Sequence, residues 1–288
     1  MLYDLQIALN SNPSELTNRP TIKARCMSDD NLSRMGTAKV TLLVDEAGHQ
    51  VIEKFPVSDV EFNFYQHAAR HLVQVDISTP KLLIADPATR KLRLEYIPHQ
   101  VEQDEVGRDE VLAILSRLHC YRPDPSWVYH NLTWSEAALE KSLILLALPD
   151  RAAKQLRYFH QASDALFSGQ CLISGDSNAG NWGKRDNGDL VLFDWERFST
   201  GSPAIDLAPL IKGMGFKQKF IEFAERYNCI SQNYNPNDLA KEIAIAKAWI
   251  VTQVIVLLNE RQKSDFQFYL KWYRENLPAW LDNTVKML

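Results

Sequence analysis

An α+β arrangement in two lobes is what this sequence predicts, and three features point to it. The first hundred residues read as β-branched strands around one helix. Helical periodicity takes over after Pro98, and a Gly- and Asn-rich hairpin at 171–194 interrupts the helical half. A length of 288 residues also suits two lobes of roughly 100 to 200 residues better than one core. The expected division is a β-rich N-lobe at 1–97 and a mostly helical C-lobe at 98–288.

The elements follow in chain order. AKVTLLV at 38–44 is β-branched and runs into the turn cluster Asp45-Glu46-Ala47-Gly48. QVIEKF at 50–55 returns as the second strand of a hairpin. Pro56 and Ser58-Asp59 then open a helix, with Ser58 and Glu61 in the S-x-x-E spacing of a capping box. Phe62, Tyr65, Ala69 and Leu72 fall on one face of that helix. KLLIAD at 81–86 and KLRLEYI at 91–97 are strands joined at Asp86-Pro87-Ala88-Thr89. Helical spacing returns at 109–121, 135–148, 151–167 and 238–285. Between them, 171–194 reads as strand, loop, short strand, Asp-Asn-Gly turn and strand.

Composition narrows the class. Apolar residues at 45% and charged residues at 24% exclude a disordered chain, a collagen and a coiled coil. A net charge of -4 argues against nucleic acid as a partner, because phosphate neutralisation calls for a basic protein. Cys26, Cys120, Cys171 and Cys229 show no C-x-x-C spacing, which excludes a zinc ribbon and argues against a disulfide framework. The N-terminus has an early Asp4 and no basic stretch, unlike a secretory signal. The apolar run at 248–258 is shorter than the ~20 residues a bilayer requires. The expectation is a cytoplasmic protein without a membrane partner; nothing in the sequence specifies an oligomeric state.

The chemistry concentrates in Ser174-Gly175-Asp176-Ser177-Asn178-Ala179-Gly180-Asn181, followed by Asp194-Trp195-Glu196 and then Asp206. An Asp and an Asn five apart in a loop bring a carboxylate and an amide oxygen around one small volume. A second carboxylate at the end of the following hairpin joins them. Oxygen ligands of this kind suit Mg²⁺, and a remaining Asp serves to orient a hydroxyl nucleophile or accept its proton.

This pattern resembles the catalytic core of aminoglycoside phosphotransferases and choline kinases, whose usual form is H-G-D-x4-N, D-x-[DE] and a downstream G-x-P-x-x-D-L-A. The last element here is Gly201-Ser202-Pro203-Ala204-Ile205-Asp206-Leu207-Ala208. The resemblance continues in Val51-Ile52-Glu53-Lys54-Phe55, in Leu94-Glu95-Tyr96-Ile97-Pro98 and in Leu115-Ser116-Arg117-Leu118-His119, and spans roughly residues 20 to 215. It implies a protein-kinase-like bilobal fold and transfer of the ATP γ-phosphoryl group to a small-molecule alcohol. It also implies Asp176 as catalytic base, Asn181 and Asp194 as Mg²⁺ ligands, and Lys54 on the ATP phosphates with Glu61 as its ion-pair partner. Backbone groups of Glu95 and Ile97 would hold adenine, and Asp206 would brace the catalytic loop.

The sequence departs from that pattern in two places. Ser174 stands where relatives carry His, and the phosphate-covering stretch at 33–38 has only Gly36. The missing G-x-G-x-x-G argues against a protein kinase, and the missing G-x4-G-K-[ST] excludes a P-loop enzyme. Two rival readings follow: an antibiotic-modifying kinase and a non-catalytic nucleotide-binding pseudokinase. Trp127, Trp134, Trp249, Trp272, Tyr273 and Trp280 are expected chiefly as core, with a cage for a quaternary ammonium as the alternative. The acidic run from Glu102 to Glu110 reads as a solvated helix start, with attraction of a polyamine as its alternative.

Overall fold

The computed structural model describes residues 38–288, so Cys26 and Gly36 lie outside the described residues. In chain order the main elements are β1 (Lys39–Val44), β2 (Gln50–Phe55) and α1, which joins Asp59–Asn63, a π turn Phe64–Ala68 and Ala69–Val73. Then come β3 (Leu82–Asp86), β4 (Lys91–Glu95), β5 (His99–Gln100), α2 (Gln103–Val106), α3 (Asp109–Cys120), α4 (Glu136–Leu146), α5 (Asp150–Gln161) and α6 (Asp164–Ser168). The chain continues with β6 (Cys171–Ile173), β7 (Trp182–Lys184), β8 (Leu190–Leu192), β9 (Ser199–Gly201), α7 (Ala204–Leu207), α8 (Lys217–Ser231), α9 (Pro236–Glu260) and α10 (Phe266–Thr284).

Packing sorts these into two compact units. One holds the described residues up to Val106 together with Asp124–His130 and Asp176–Phe198. Its main sheet is antiparallel, in the order β1-β2-β4-β3. The β1–β2 hairpin pairs Lys39 with Phe55 through to Val44 with Gln50. Its turn closes because Asp45 Oδ1 accepts the N–H groups of Ala47 and His49 at 3.0 and 2.8 Å, while Gly48 takes a φ of +86°. Ser58 caps α1 by accepting the Glu61 N–H at 3.1 Å. The reciprocal half of the capping box is not formed, because the Glu61 carboxylate turns to Lys54 instead. Phe62, Tyr65, Ala69 and Leu72 are all buried, with Tyr65 inside the π turn that separates Phe62 from Ala69 and Leu72. A second sheet in this unit has the order β5-β7-β8.

The other unit comprises Gly107–Pro123, Asn131–Gly175 and Ser199–Leu288. It is mostly helical, with β6 and β9 as a short antiparallel pair. The 25-residue α9 packs against α8, α4, α7, α10 and α5. By length and composition α9 could cross a membrane, yet 72% of its most apolar window is buried inside the protein. Lys247 on this helix is also buried, with its ammonium donating to Ile211 O and Gly213 O at 2.6 and 2.7 Å. Helix α8 lies outside the stretches expected to be helical, although Phe220, Phe223, Ala224 and Tyr227 recur at helical spacing and are buried. The segments 151–167 and 238–285 each divide into two helices, broken near Ala162 and Arg261. Cys120, Cys171 and Cys229 are free thiols.

Candidate active site

Strand β2 ends by placing Lys54 on the buried side of the sheet, with 9% of its side chain exposed. Its ammonium donates to Glu61 Oε1 at 2.8 Å and to Asp194 Oδ1 at 2.6 Å. Seven residues separate Lys54 from Glu61. That is enough for the end of β2, the turn and the capped first turn of α1, so the short spacing still closes the pair. Burial alone would pull the Lys54 ammonium down, but the Asp194 and Glu61 carboxylates outweigh it and hold its pKa above the ordinary lysine value. Glu61 is pushed up to about 7 by burial, which the charge of Lys54 only partly offsets.

Asp194 sits in the left-handed region at φ +62°. The next residue fixes that conformation. Trp195 is fully buried, stacks on Phe64 of the π turn at 4.2 Å and 11°, and donates its indole N–H to Leu192 O at 2.9 Å. The same helix α1 thus carries Glu61 and the ring that seats the residue after Asp194.

The loop before β7 is held by its own side chains. Asn178 Oδ1 accepts the Gly180 N–H at 2.8 Å, and Asn178 Nδ2 donates to Asp176 Oδ1 at 2.8 Å. Asn181 Nδ2 donates to Asp176 O at 2.8 Å, so the amide nitrogen is committed and Oδ1 is the end that could hold a cation. Phe193 N–H donates to Asn181 O at 3.0 Å, which brings Asn181 beside the residue preceding Asp194. Asp176, Asn181, Asp194, Lys54 and Glu61 all belong to one compact unit.

In the other unit, Asp206 is fully buried and works as a four-way acceptor. It takes the Ser174 N–H at 2.7 Å, the Ser174 hydroxyl at 2.9 Å and the Gly175 N–H at 2.9 Å, with His119 Nε2 at 3.2 Å. His119 Nδ1 in turn meets Tyr227 Oη at 2.7 Å. Ser174 therefore adds a hydroxyl donor to this brace. Asp176 is the next residue in the chain after the braced Gly175.

Glu95 is the last residue of β4. Its N–H donates to Lys81 O at 2.9 Å. Ile97 follows two residues later and lies over Gly183, where an added Cβ would come within 2.6 Å of Ile97 Cγ2. Glu196 is a residue to which the sequence reading gave no role. Oxygens of Glu61, Asp194 and Glu196 lie within 4.8 Å of one another. Three carboxylates beside the charge of Lys54 make an oxygen-only donor set that fits Mg²⁺. Of the aromatic residues, Trp127, Trp134, Trp249, Tyr273 and Trp280 are buried core. Trp272 is half-buried, and with Trp280, Lys212, Lys219 and Glu222 it lines a cavity of about 560 Å³.

Solved structures with the same architecture share little sequence with this chain. The GDP and kanamycin complex of APH(2")-IIia superposes with a TM-score of 0.64 at 13% identity, covering 87% of this chain and 92% of that one. The fold is protein-kinase-like. Choline kinase LicA from Streptococcus pneumoniae gives 0.60 at 16% identity over 87% and 92% of the two chains. Macrolide 2'-phosphotransferase MphH from Brachybacterium faecium gives 0.58 at 12% identity over 86% and 91%. No family model matches the sequence, and no curated protein matches it either. In this fold the β-rich part is N-terminal and the mostly helical part C-terminal, as the element order of this chain also shows.

Proposed function

We propose that this protein is an ATP- and Mg²⁺-dependent phosphotransferase acting on a hydroxyl of a small molecule. The observation that carries the reading is the bonding of Lys54 to both Glu61 and Asp194, in the unit that also holds Asp176 and Asn181. Residues 1–97 would hold the nucleotide, and 98–288 would carry the catalytic loop and the acceptor site. The Glu95 carbonyl and the Ile97 backbone would contact the base. Lys54, held charged by its two carboxylates, would lie against the nucleotide phosphates. Asn181 and Asp194 would hold Mg²⁺, whose charge screens the phosphate oxygens as the transition state forms. Asp176 would accept the hydrogen bond of the acceptor hydroxyl. The hydroxyl oxygen then forms a bond to the γ-phosphorus, the bond to the β,γ-bridging oxygen breaks in line, and the proton passes to the Asp176 carboxylate.

The direct experiment is an ATP-consumption screen with Mg²⁺ over choline, ethanolamine, thiamine, homoserine, sugars and aminoglycosides. It is run beside calorimetric titration with Mg-ATP and Mg-GTP. Turnover with a metabolite supports the proposal, and drug-dependent turnover makes the enzyme antibiotic-modifying. Nucleotide binding without transfer to any acceptor leaves the pseudokinase reading, and absence of nucleotide binding overturns all three. Asp194→Ala should abolish Mg²⁺-dependent nucleotide binding, and an unchanged calorimetric isotherm would contradict the role given to it.

A further inference from the structure

Arg185 has no part in the chemistry above, yet its side chain is about four-fifths buried. It follows β7 at the start of the turn to β8. Nε and Nη2 donate to Glu95 Oε1 and Oε2 at 2.8 and 2.9 Å, a two-pronged pair, and Nη2 donates again to Thr79 O at 3.0 Å. Glu95 Oε2 also accepts the Lys81 N–H at 3.0 Å. Further ties run in parallel. Leu192 N–H donates to Ser78 O at 3.1 Å, Lys184 meets Glu105 at 2.6 Å, and His99 meets Asp186 at 2.8 Å. The β7–β8 hairpin is thus fastened to the end of β4, to residues 78–81 and to β5. The two residues flanking that hairpin are Asn181, just before β7, and Asp194, two residues past β8.

We propose that Arg185 is a positioning residue. It fixes the base-contacting backbone at Glu95 and Ile97 relative to Asn181 and Asp194, which would hold the metal at the phosphates. The inference rests on the nucleotide reading given above. Its physical basis is the planar fork of arginine, which sets both distance and angle against a carboxylate; a lysine ammonium supplies charge without that geometry. With the fork gone, the two halves of the nucleotide site would have to be ordered at the expense of binding. The effect should therefore appear only with a ligand that touches both halves at once.

The test is calorimetric titration of the full chain with Mg-ADP, beside adenosine followed by NMR. In Arg185→Ala the Mg-ADP dissociation constant should rise roughly tenfold, while that for adenosine changes by less than about twofold. Arg185→Lys should lose affinity for Mg-ADP to within about threefold of Arg185→Ala, and it stands in if the alanine variant fails to fold. Wild-type affinity for Mg-ADP in the variant that folds, or an equal loss for ADP and adenosine, overturns the positioning role alone. A wild-type protein that binds neither ligand overturns the nucleotide reading and this inference with it.

Discussion

Asp176 keeps its place through a bond that an amide can also make. Its Oδ1 accepts from Asn178 Nδ2, and Asn at 176 still offers an acceptor oxygen there. Asp176→Asn should therefore melt near the wild-type temperature while kcat falls about 10²- to 10⁴-fold, as expected when a proton acceptor is lost. Steady-state kinetics on an accepted substrate, with a parallel thermal melt, checks both halves. Glu95 gives a prediction of another kind. Burial opposes its ionisation, but the Arg185 fork and the Lys81 N–H outweigh burial and hold it below the usual carboxylate value. A depressed carboxylate contributes stability above its unfolded pKa, and that contribution fades as pH falls through the folded one. Glu95→Gln should be less stable than wild type at pH 7, and the gap should narrow below about pH 4.5. Urea melts across that range would show it, and a gap independent of pH would contradict the charge argument.

At the scale of elements, strand β7 is built around the absence of a side chain. A Cβ on Gly183 would meet Ile97 Cγ2 at 2.6 Å, His99 O at 3.1 Å and Phe193 Cε1 at 3.2 Å. Gly183→Ala should cost about 1–3 kcal/mol of stability by overpacking, read from the denaturation midpoint. This glycine also shows where sequence reading stops. The hairpin itself is legible from Asp-Asn-Gly between two apolar runs, and the Lys54–Glu61 pair is implied by the family resemblance in spite of its short spacing. Asp206 is recognisable from Pro203 and Leu207-Ala208 around it, and the structure gives it the bracing bonds expected of it. The contacts of Arg185 were not legible, because its partner lies far along the chain: it meets Glu95 90 residues away. Glu196 stands in the D-x-[DE] element, but its nearness to Glu61 of α1 shows only in the fold. The π turn in α1 is equally silent, since Phe62, Tyr65, Ala69 and Leu72 fit an ordinary helical face well enough.

Across the whole molecule, the longest helix is anchored by a charge within its apolar surface. Lys247 supplies the donors for two loop carbonyls, at Ile211 and Gly213. Lys247→Met keeps much of the volume and removes both donors, so it should cost about 2–3 kcal/mol. Thermal or urea unfolding would measure it, and a neutral result would mean water replaces the ammonium. The π turn Phe64–Ala68 has a wider consequence. It absorbs one residue more per turn than an α-helix would, and each residue of an α-helix advances the face by about 100°. Deleting a single residue there would leave a regular helix whose two ends keep their faces, because the wider turn is what takes up the extra residue. Glu61 would still point to Lys54 while Leu72 kept its pocket. Shortening α1 by one amino acid within Phe64–Ala68 should therefore be tolerated better than the same deletion elsewhere in the helix, where one end would swing by about 100°.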